Sequence, residues 1–469
     1  MKPISDISRR RLLKGAACCI GAGAAAYGLH KLNLFSGESK DNAPAPTEPV
    51  TMHKHPRTGI AVSAFGYGCM RLPMLPNATS PRGTEVDEKK AFELIDYALA
   101  CGVNYFDSAH FYHKGVSESV MGAALSRHPR ESYLIATKMP GRIIESLAQA
   151  KEIFEGQLKK CRTDYFDFYQ LHAIMGVPSY RHVYEELGVL DYLLEKREKG
   201  IIRHLGWSFH GDSEALEYLL AQPVDWDYAM LQLNYHDLMH ELVMPEKRMQ
   251  IIGLTRQPAP AMWMYEKVRD AGIPIVVMEP LLGGRLARLS RKARAPLEAI
   301  RPDLSPAAWA FRYAATLPGV LTVLSGVTQM NYLQENMRTF APLEPLTPDE
   351  RQALEQALKL FLTQESLACT TCGYCMPCPY GIDIPAIFSH YNRSLDLELY
   401  PRNPESADYP LLRRAWLADH DRHVPELRQA ARCTGCGKCV EACPAMIDIP
   451  AEMARLGKMT EKWRNEETI

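Results

Sequence analysis

Residues 102–118, GVNYFDSAHFYHKGVSE, decide the fold. The stretch opens as a strand, because Val103, Tyr105 and Phe106 are β-formers and Gly102 interrupts the helical pattern before it. Asp107 stands where the strand ends, and His110 and Tyr112 lie in the loop that follows. An acid, an imidazole and a phenol crowded onto one strand-to-loop junction are not what a packed core needs. Taken alone, the stretch reads as a turn capped by Asp107 with an amphipathic tyrosine beside it. Repetition of the pattern downstream changes that reading.

From about Met52 the chain alternates short apolar strands with longer helical stretches, the pattern of a parallel sheet covered by helices. Eight candidate strands end near Gly68, Asp107, Lys138, His172, Ser208, Gln232, Pro280 and Ser325, and polar residues cluster at those ends. Helical patterns over 87–100, 145–160, 184–199 and 213–221 lie between them. The expectation is an α/β fold, a (β/α)8 TIM barrel over residues 51–345, with its active site on the C-terminal face. A doubly wound open sheet is the competing arrangement, but no Gly-rich fingerprint follows any strand.

On such a barrel four residues from three successive strands converge: Asp107 and Tyr112 after the second, Lys138 after the third and His172 after the fourth. In order and context they resemble the Asp, Tyr, Lys, His tetrad of the aldo-keto reductase family, over roughly residues 58–340. The chemistry of these residue types is coherent. Hydride reduction of a carbonyl leaves a developing alkoxide, which needs a nearby proton donor. A phenol, with an unperturbed pKa of about 10, is a reluctant donor, and a neighbouring ammonium such as Lys138 makes it a better one. Asp107 would hold that ammonium, and His172 would orient the carbonyl or share the proton. The motif gives His110 and His113 no role, so they read as loop residues.

The resemblance also implies an NAD(P)(H) cofactor and a small carbonyl or alcohol substrate. It places cofactor contacts at Ser208, Gln232, Leu281, Gly283, Arg285, Gly326, Thr328, Gln329, Glu335 and Asn336. Two positions depart from the family pattern. Phe209 stands where Asn often follows the serine, and Met278 where an aromatic ring usually stacks on the nicotinamide, a packing that a polarizable thioether can also provide. The last loop lacks the Lys or Arg that would grip a 2′-phosphate, so no preference for NADP is expected.

Thr347, Pro348 and Glu350 form a capping-box pattern that starts a helix to about residue 366. Two cysteine runs follow: Cys369, Cys372, Cys375 and Cys378 before Pro379, then Cys433, Cys436, Cys439 and Cys443 before Pro444. Each is trailed by Ile-Asp-Ile-Pro, at 382–385 and 447–450, which implies two similar half-units. Three cysteines spaced by two, then a fourth before proline, match ferredoxin ligation of [4Fe–4S], in which the fourth cysteine serves the other cluster. The expected sets are Cys369, Cys372, Cys375 and Cys443 for one cluster, and Cys433, Cys436, Cys439 and Cys378 for the other. Structural zinc also uses four-cysteine sets but rarely needs the trailing Cys-Pro, and export of a folded protein lets clusters form before disulfides. Residues 346–469 are therefore expected to form a mainly helical ferredoxin-like domain, with a helical insertion between the runs. Cys69, Cys101 and Cys161 read as buried apolar residues.

The composition, with 46% apolar and 23% charged residues and 55 acidic against 54 basic side chains, is that of a globular protein. No basic block beyond the N-terminus points to nucleic acid. At the N-terminus, Ser8-Arg9-Arg10-Arg11-Leu12-Leu13-Lys14 resembles a twin-arginine export signal, followed by an apolar run over 15–28 and a Pro-rich linker to residue 50. That resemblance implies export, to the periplasm or the outer face of the cytoplasmic membrane, of a protein folded around its cofactors. Ala43 and Ala45 are small enough for cleavage, but Pro46 follows, which leaves removal and membrane anchoring both open. Two functions compete: a carbonyl–alcohol oxidoreductase whose clusters exchange electrons with a redox partner, and an iron–sulfur carrier with an idle barrel. The tetrad favours the first.

Overall fold

Every predicted strand end falls within about two residues of an observed one in the computed structural model. It describes residues 48–466 apart from 77, 79–82, 241–248, 250–255, 364, 370, 372 and 444–446. The arginine pair and the apolar run after it lie outside the described residues. Two short strands, β1 (Met52–Lys54) and β2 (Ala61–Ser63), pair antiparallel. The next eight are β3 (Phe65–Gly68), β4 (Tyr105–Asp107), β5 (Leu134–Met139), β6 (Phe166–Ile174), β7 (Ile202–Phe209), β8 (Tyr228–Gln232), β9 (Ile275–Met278) and β10 (Val320–Ser325). They close into a parallel barrel in which β10 pairs with both β9 and β3.

The barrel is filled by inward side chains of alternate residues, among them Tyr105, Phe168, Tyr228, Met230 and Val276, and Val62 of the β1–β2 hairpin joins them. A second layer, including Phe154, Tyr169, Trp309 and Phe340, lies between strands and helices. The helices start where the sequence supplies caps. Asp87 accepts from the Lys90 N–H to open the helix Glu88–Ala100, which buries Ala91, Leu94, Ile95 and Ala98 at helical spacing.

Two elements differ from expectation. The helical pattern over 184–199 is a π-helical turn, Arg181–Glu186, followed by the helix Val189–Glu198. Gly188, at φ +72°, adopts a left-handed conformation that ends the continuous winding. The second difference concerns the capping-box helix, Pro348–Leu362, whose Thr347 and Glu350 bond reciprocally as the sequence implied. Its buried face, with Leu354, Ala357, Leu358 and Phe361, belongs to the barrel's outer core, and Arg312 grips Glu350 through two hydrogen bonds of 2.8 and 3.0 Å. The two hydrophobic cores therefore divide after this helix, not at residue 346.

The cysteine-rich region has its own core of Ile384, Ile387, Phe388, Ile447, Ile449, Met453 and neighbours. Both Ile-Asp-Ile-Pro repeats do the same local job. Asp383 accepts from the Ala386 N–H and Asp448 from the Ala451 N–H, opening the helices Ile384–Asp396 and Ile449–Asn465 with proline in the first turn. The insertion between the runs is helical as expected, with Tyr409–His423 as its main element. No helix among the described residues is long and apolar enough to cross a membrane.

Candidate functional site

Register alone brings the strand-end residues to one place. Asp107 of β4 pairs with Ala136 of β5, and Lys138 pairs with Gln170 of β6. Gln170 in turn pairs with Gly206 of β7, Ser208 with Met230 of β8, and Gln232 with Met278 of β9. With a side-chain period of two, Asp107, Lys138, Gln170, Ser208, Gln232 and Met278 share the inner face at the C-terminal rim. His172, two residues beyond Gln170, joins them. Phe209, next to Ser208, points the other way: it is buried in the outer core against Trp207. Of the two residues that depart from the family pattern, Phe209 is thus a packing residue.

Lys138 is 1% exposed and donates to Asp107 Oδ1 at 2.6 Å and to the Ser108 carbonyl at 2.7 Å. Burial pushes the ammonium below its ordinary pKa and the carboxyl above its own, each opposed by the partner's charge. The Lys138 Nζ also lies 5.0 Å from the centre of the Tyr112 ring. The rings of Tyr112 and His172 stand edge-on, 6.3 Å apart. Loss of hydration, then the charge of Lys138, holds His172 well below the usual imidazole value, so it is neutral near pH 7. Among the described residues, His172 Nδ1 and Asp107 Oδ2 are buried without a hydrogen-bond partner.

Tyr112 sits on a loop, and its placement depends on a residue that the sequence gave no role. His113 is buried, accepts from the Leu72 N–H at Nε2 (2.9 Å) and faces the Gly83 carbonyl with Nδ1 (3.1 Å). It holds the turn Tyr112–Gly115, in which His113 and Lys114 both have left-handed backbone angles. These contacts span 41 and 30 residues of chain, so no local pattern announces them.

The expected cofactor contacts fall into two groups. Ser208 and Gln232 are on the inner rim. The Ser208 oxygen accepts from the Ala173 N–H at 2.7 Å, and the Gln232 amide donates to Asp237 at 2.8 Å. Leu281, Gly283 and Arg285 follow β9, while Gly326, Thr328 and Gln329 follow β10 and lead into the helix Met330–Phe340 that carries Glu335 and Asn336. As β9 and β10 are neighbours, this second group forms one wall. Arg285 departs from it: its guanidinium lies over the Phe361 ring at 5.0 Å and feels the charges of Asp237, Asp396 and Cys369.

The cysteines ring two cavities. One is lined by Cys369, Cys375 and Cys443; the other by Cys378, Cys433, Cys436 and Cys439. Each takes a cysteine from the opposite run. Ile384 and Ile449, one from each repeat, line both and stand between them. Cys372 lies outside the described residues. Among the described residues no three Cys, His, Asp or Glu side chains converge tightly enough for one metal ion; the thiols surround a space instead. Cys69, Cys101 and Cys161 are buried, as expected.

Residues 65–359 match the aldo/keto reductase family. The chain belongs to that family. Residues 368–448 match a 4Fe-4S dicluster domain, so an iron–sulfur domain follows the reductase barrel. Among curated proteins, the chain is 28% identical over 310 residues to the uncharacterized oxidoreductase YqkF of Bacillus subtilis, covering 64% of this chain and 94% of that protein. It is 31% identical over 159 residues to probable aldo-keto reductase 1 of Glycine max, covering 32% and 42% respectively. Solved structures similar to it include the holo form of aldo-keto reductase AKR11C1 from Bacillus halodurans, at 24% identity, TM-score 0.49 and coverage of 66% and 96%. An aldo-keto reductase from Klebsiella pneumoniae in complex with NADPH gives 18% identity, TM-score 0.49 and coverage of 67% and 95%. This aldo/keto reductase is an oxidoreductase whose family match ends at residue 359, before the cysteine runs begin.

Proposed function

We propose that this aldo/keto reductase interconverts a carbonyl and an alcohol with a nicotinamide cofactor, using Asp107, Tyr112, Lys138 and His172. The observation that carries this is the buried Lys138 ammonium, held by Asp107 and set beside the Tyr112 ring at the barrel rim. The residues fit a nicotinamide. Ser208 accepts from the backbone and keeps its own hydrogen to donate, Gln232 keeps its carbonyl oxygen, and Met278 presents a thioether on the same face. Bound there, the cofactor would supply the hydride. Tyr112 gives its hydroxyl proton to the carbonyl oxygen as the alcohol forms, and the Lys138 ammonium stabilises the phenolate left behind. Neutral His172 offers a ring N–H to the same oxygen and orients it.

The two thiol-ringed cavities support two [4Fe–4S] clusters, one on Cys369, Cys372, Cys375 and Cys443 and the other on Cys378, Cys433, Cys436 and Cys439. Their spacing around a space, with apolar isoleucines between, suits cubes. The clusters pass single electrons to or from a redox partner. Anaerobically purified protein is expected to hold about eight irons and as many sulfides per chain. A metal content of zinc alone would defeat the cluster assignment.

Export by the twin-arginine route rests on Arg9 and Arg10. Replacing both with Lys is expected to keep the protein in the cytoplasm; unchanged export on cell fractionation would reject this route.

A further inference from the structure

We propose that the substrate carries an anionic group, and that Arg142 receives it beside the reacting carbonyl. This rests on the reductase reading above and names the class of carbonyl compound that the site takes. Arg142 lies in the short turn Gly141–Ile143 that follows β5, the strand that supplies Lys138. Its guanidinium carbon sits 5.1 Å from the centre of the Phe111 ring, and that ring is 6.1 Å from the His172 imidazole. Phe111 precedes Tyr112, so the arginine flanks both groups that contact the carbonyl oxygen.

At this spot Asp107 is occupied by Lys138 at 2.6 Å. Lys138 and Arg142 both act on His172 as positive charges, whereas burial holds His210 and His110 below the ordinary imidazole value. Among the described residues Arg142 has no carboxylate partner, although it is exposed at the rim and planar enough to bind one through two N–H groups. The nucleotide does not explain it. The wall of expected cofactor contacts follows β9 and β10, whereas β5 lies across the barrel from them. A carboxylate or phosphate on the substrate would complete the site, and its loss of hydration would be offset by the guanidinium.

The test compares two aldehyde pairs that differ in charge: succinic semialdehyde with butanal, and glyceraldehyde 3-phosphate with glyceraldehyde. The wild-type holoenzyme is expected to favour the charged member of at least one pair by about 10- to 100-fold in kcat/KM, mainly through KM. The favoured pair tells carboxylate from phosphate. Arg142→Gln should bring that ratio close to one, and Arg142→Lys should restore part of it. Equal treatment of both pairs by the wild type, or a preference that survives in Arg142→Gln, overturns the proposal. Calorimetric titration with succinate and with inorganic phosphate keeps the test separate from catalysis. If no aldehyde turns over, but anion binding is weaker in Arg142→Gln, the anion site stands and the reductase reading falls. Equal binding in both proteins, or none in either, rejects the site.

Discussion

Tyr112→Phe is expected to lower carbonyl reduction by a factor of about 10² to 10⁴, the usual cost of losing a positioned proton donor. The ring itself remains, so its edge-on contact with His172 and its place beside Lys138 are kept. Only the hydroxyl proton is removed. Because the donor acts as negative charge builds on the carbonyl oxygen, kcat and kcat/KM should fall together. Iron content and melting temperature should match the wild type, since the cysteine cavities contain no part of this loop. Wild-type turnover in the variant would remove Tyr112 from the chemistry. Lys138 is a poorer target: without its ammonium the buried Asp107 carboxylate loses its partner, at a cost of about 3–5 kcal/mol.

Cys378→Ala is expected to damage the cluster held by Cys433, Cys436 and Cys439, although Cys378 belongs to the first run. The reason is spatial: Cys378 lines the cavity of the second run, and Cys443 lines that of the first. Each cube would keep three thiolates from one loop and take its fourth from the other. Paramagnetic resonance of the reduced variant should then lose the signal of the second-run cluster and keep that of the first. Spectra of variants lacking each run's first three cysteines provide the references. Loss of the first-run signal instead would mean that each run is self-contained. Crossing also keeps the cubes close, with Ile384 and Ile449 as the wall between them, which suits electron exchange from one to the other.

Much of the site was legible because its residues sit at strand ends. A run of β-formers fixes the strand, its period of two fixes which side chains point inward, and Asp107, Lys138, His172 and Ser208 follow. The cysteine runs were legible for a similar reason, since their spacing is itself the loop that wraps a cluster. What escaped depends on contacts between distant segments. His113 was read as a loop residue, yet its bonds to Leu72 and Gly83 hold the Tyr112 turn. The helix Pro348–Leu362 was grouped with the cysteine domain because it precedes the first run, but Arg312, 38 residues before Glu350, ties it to the barrel. Arg285 matched a cofactor position by its sequence context, and only the fold shows it lying over Phe361. Gly188 carried a local signal, but one glycine within a helical pattern is often tolerated.

A structural tension remains in the pairing of the two domains. Nicotinamide transfers two electrons as a hydride, while each cluster passes one. On the proposed function the barrel chemistry and the cluster chemistry run as separate steps, so aldehyde reduction should not depend on the redox state of the clusters when nicotinamide is supplied. That separation allows the barrel to be tested with the clusters left in place.

Deuterium tracing examines the hydride step most directly. The anaerobically purified, cluster-loaded protein is supplied with nicotinamide cofactor deuterated at C4, together with the aldehyde pairs used above. Product alcohol should carry deuterium on the former carbonyl carbon in the wild type, and its formation should be suppressed in Tyr112→Phe. Alcohol without deuterium from either C4 face of the cofactor, or no alcohol at all while the clusters still cycle between oxidised and reduced forms, would contradict the reductase and leave an electron carrier with an idle barrel.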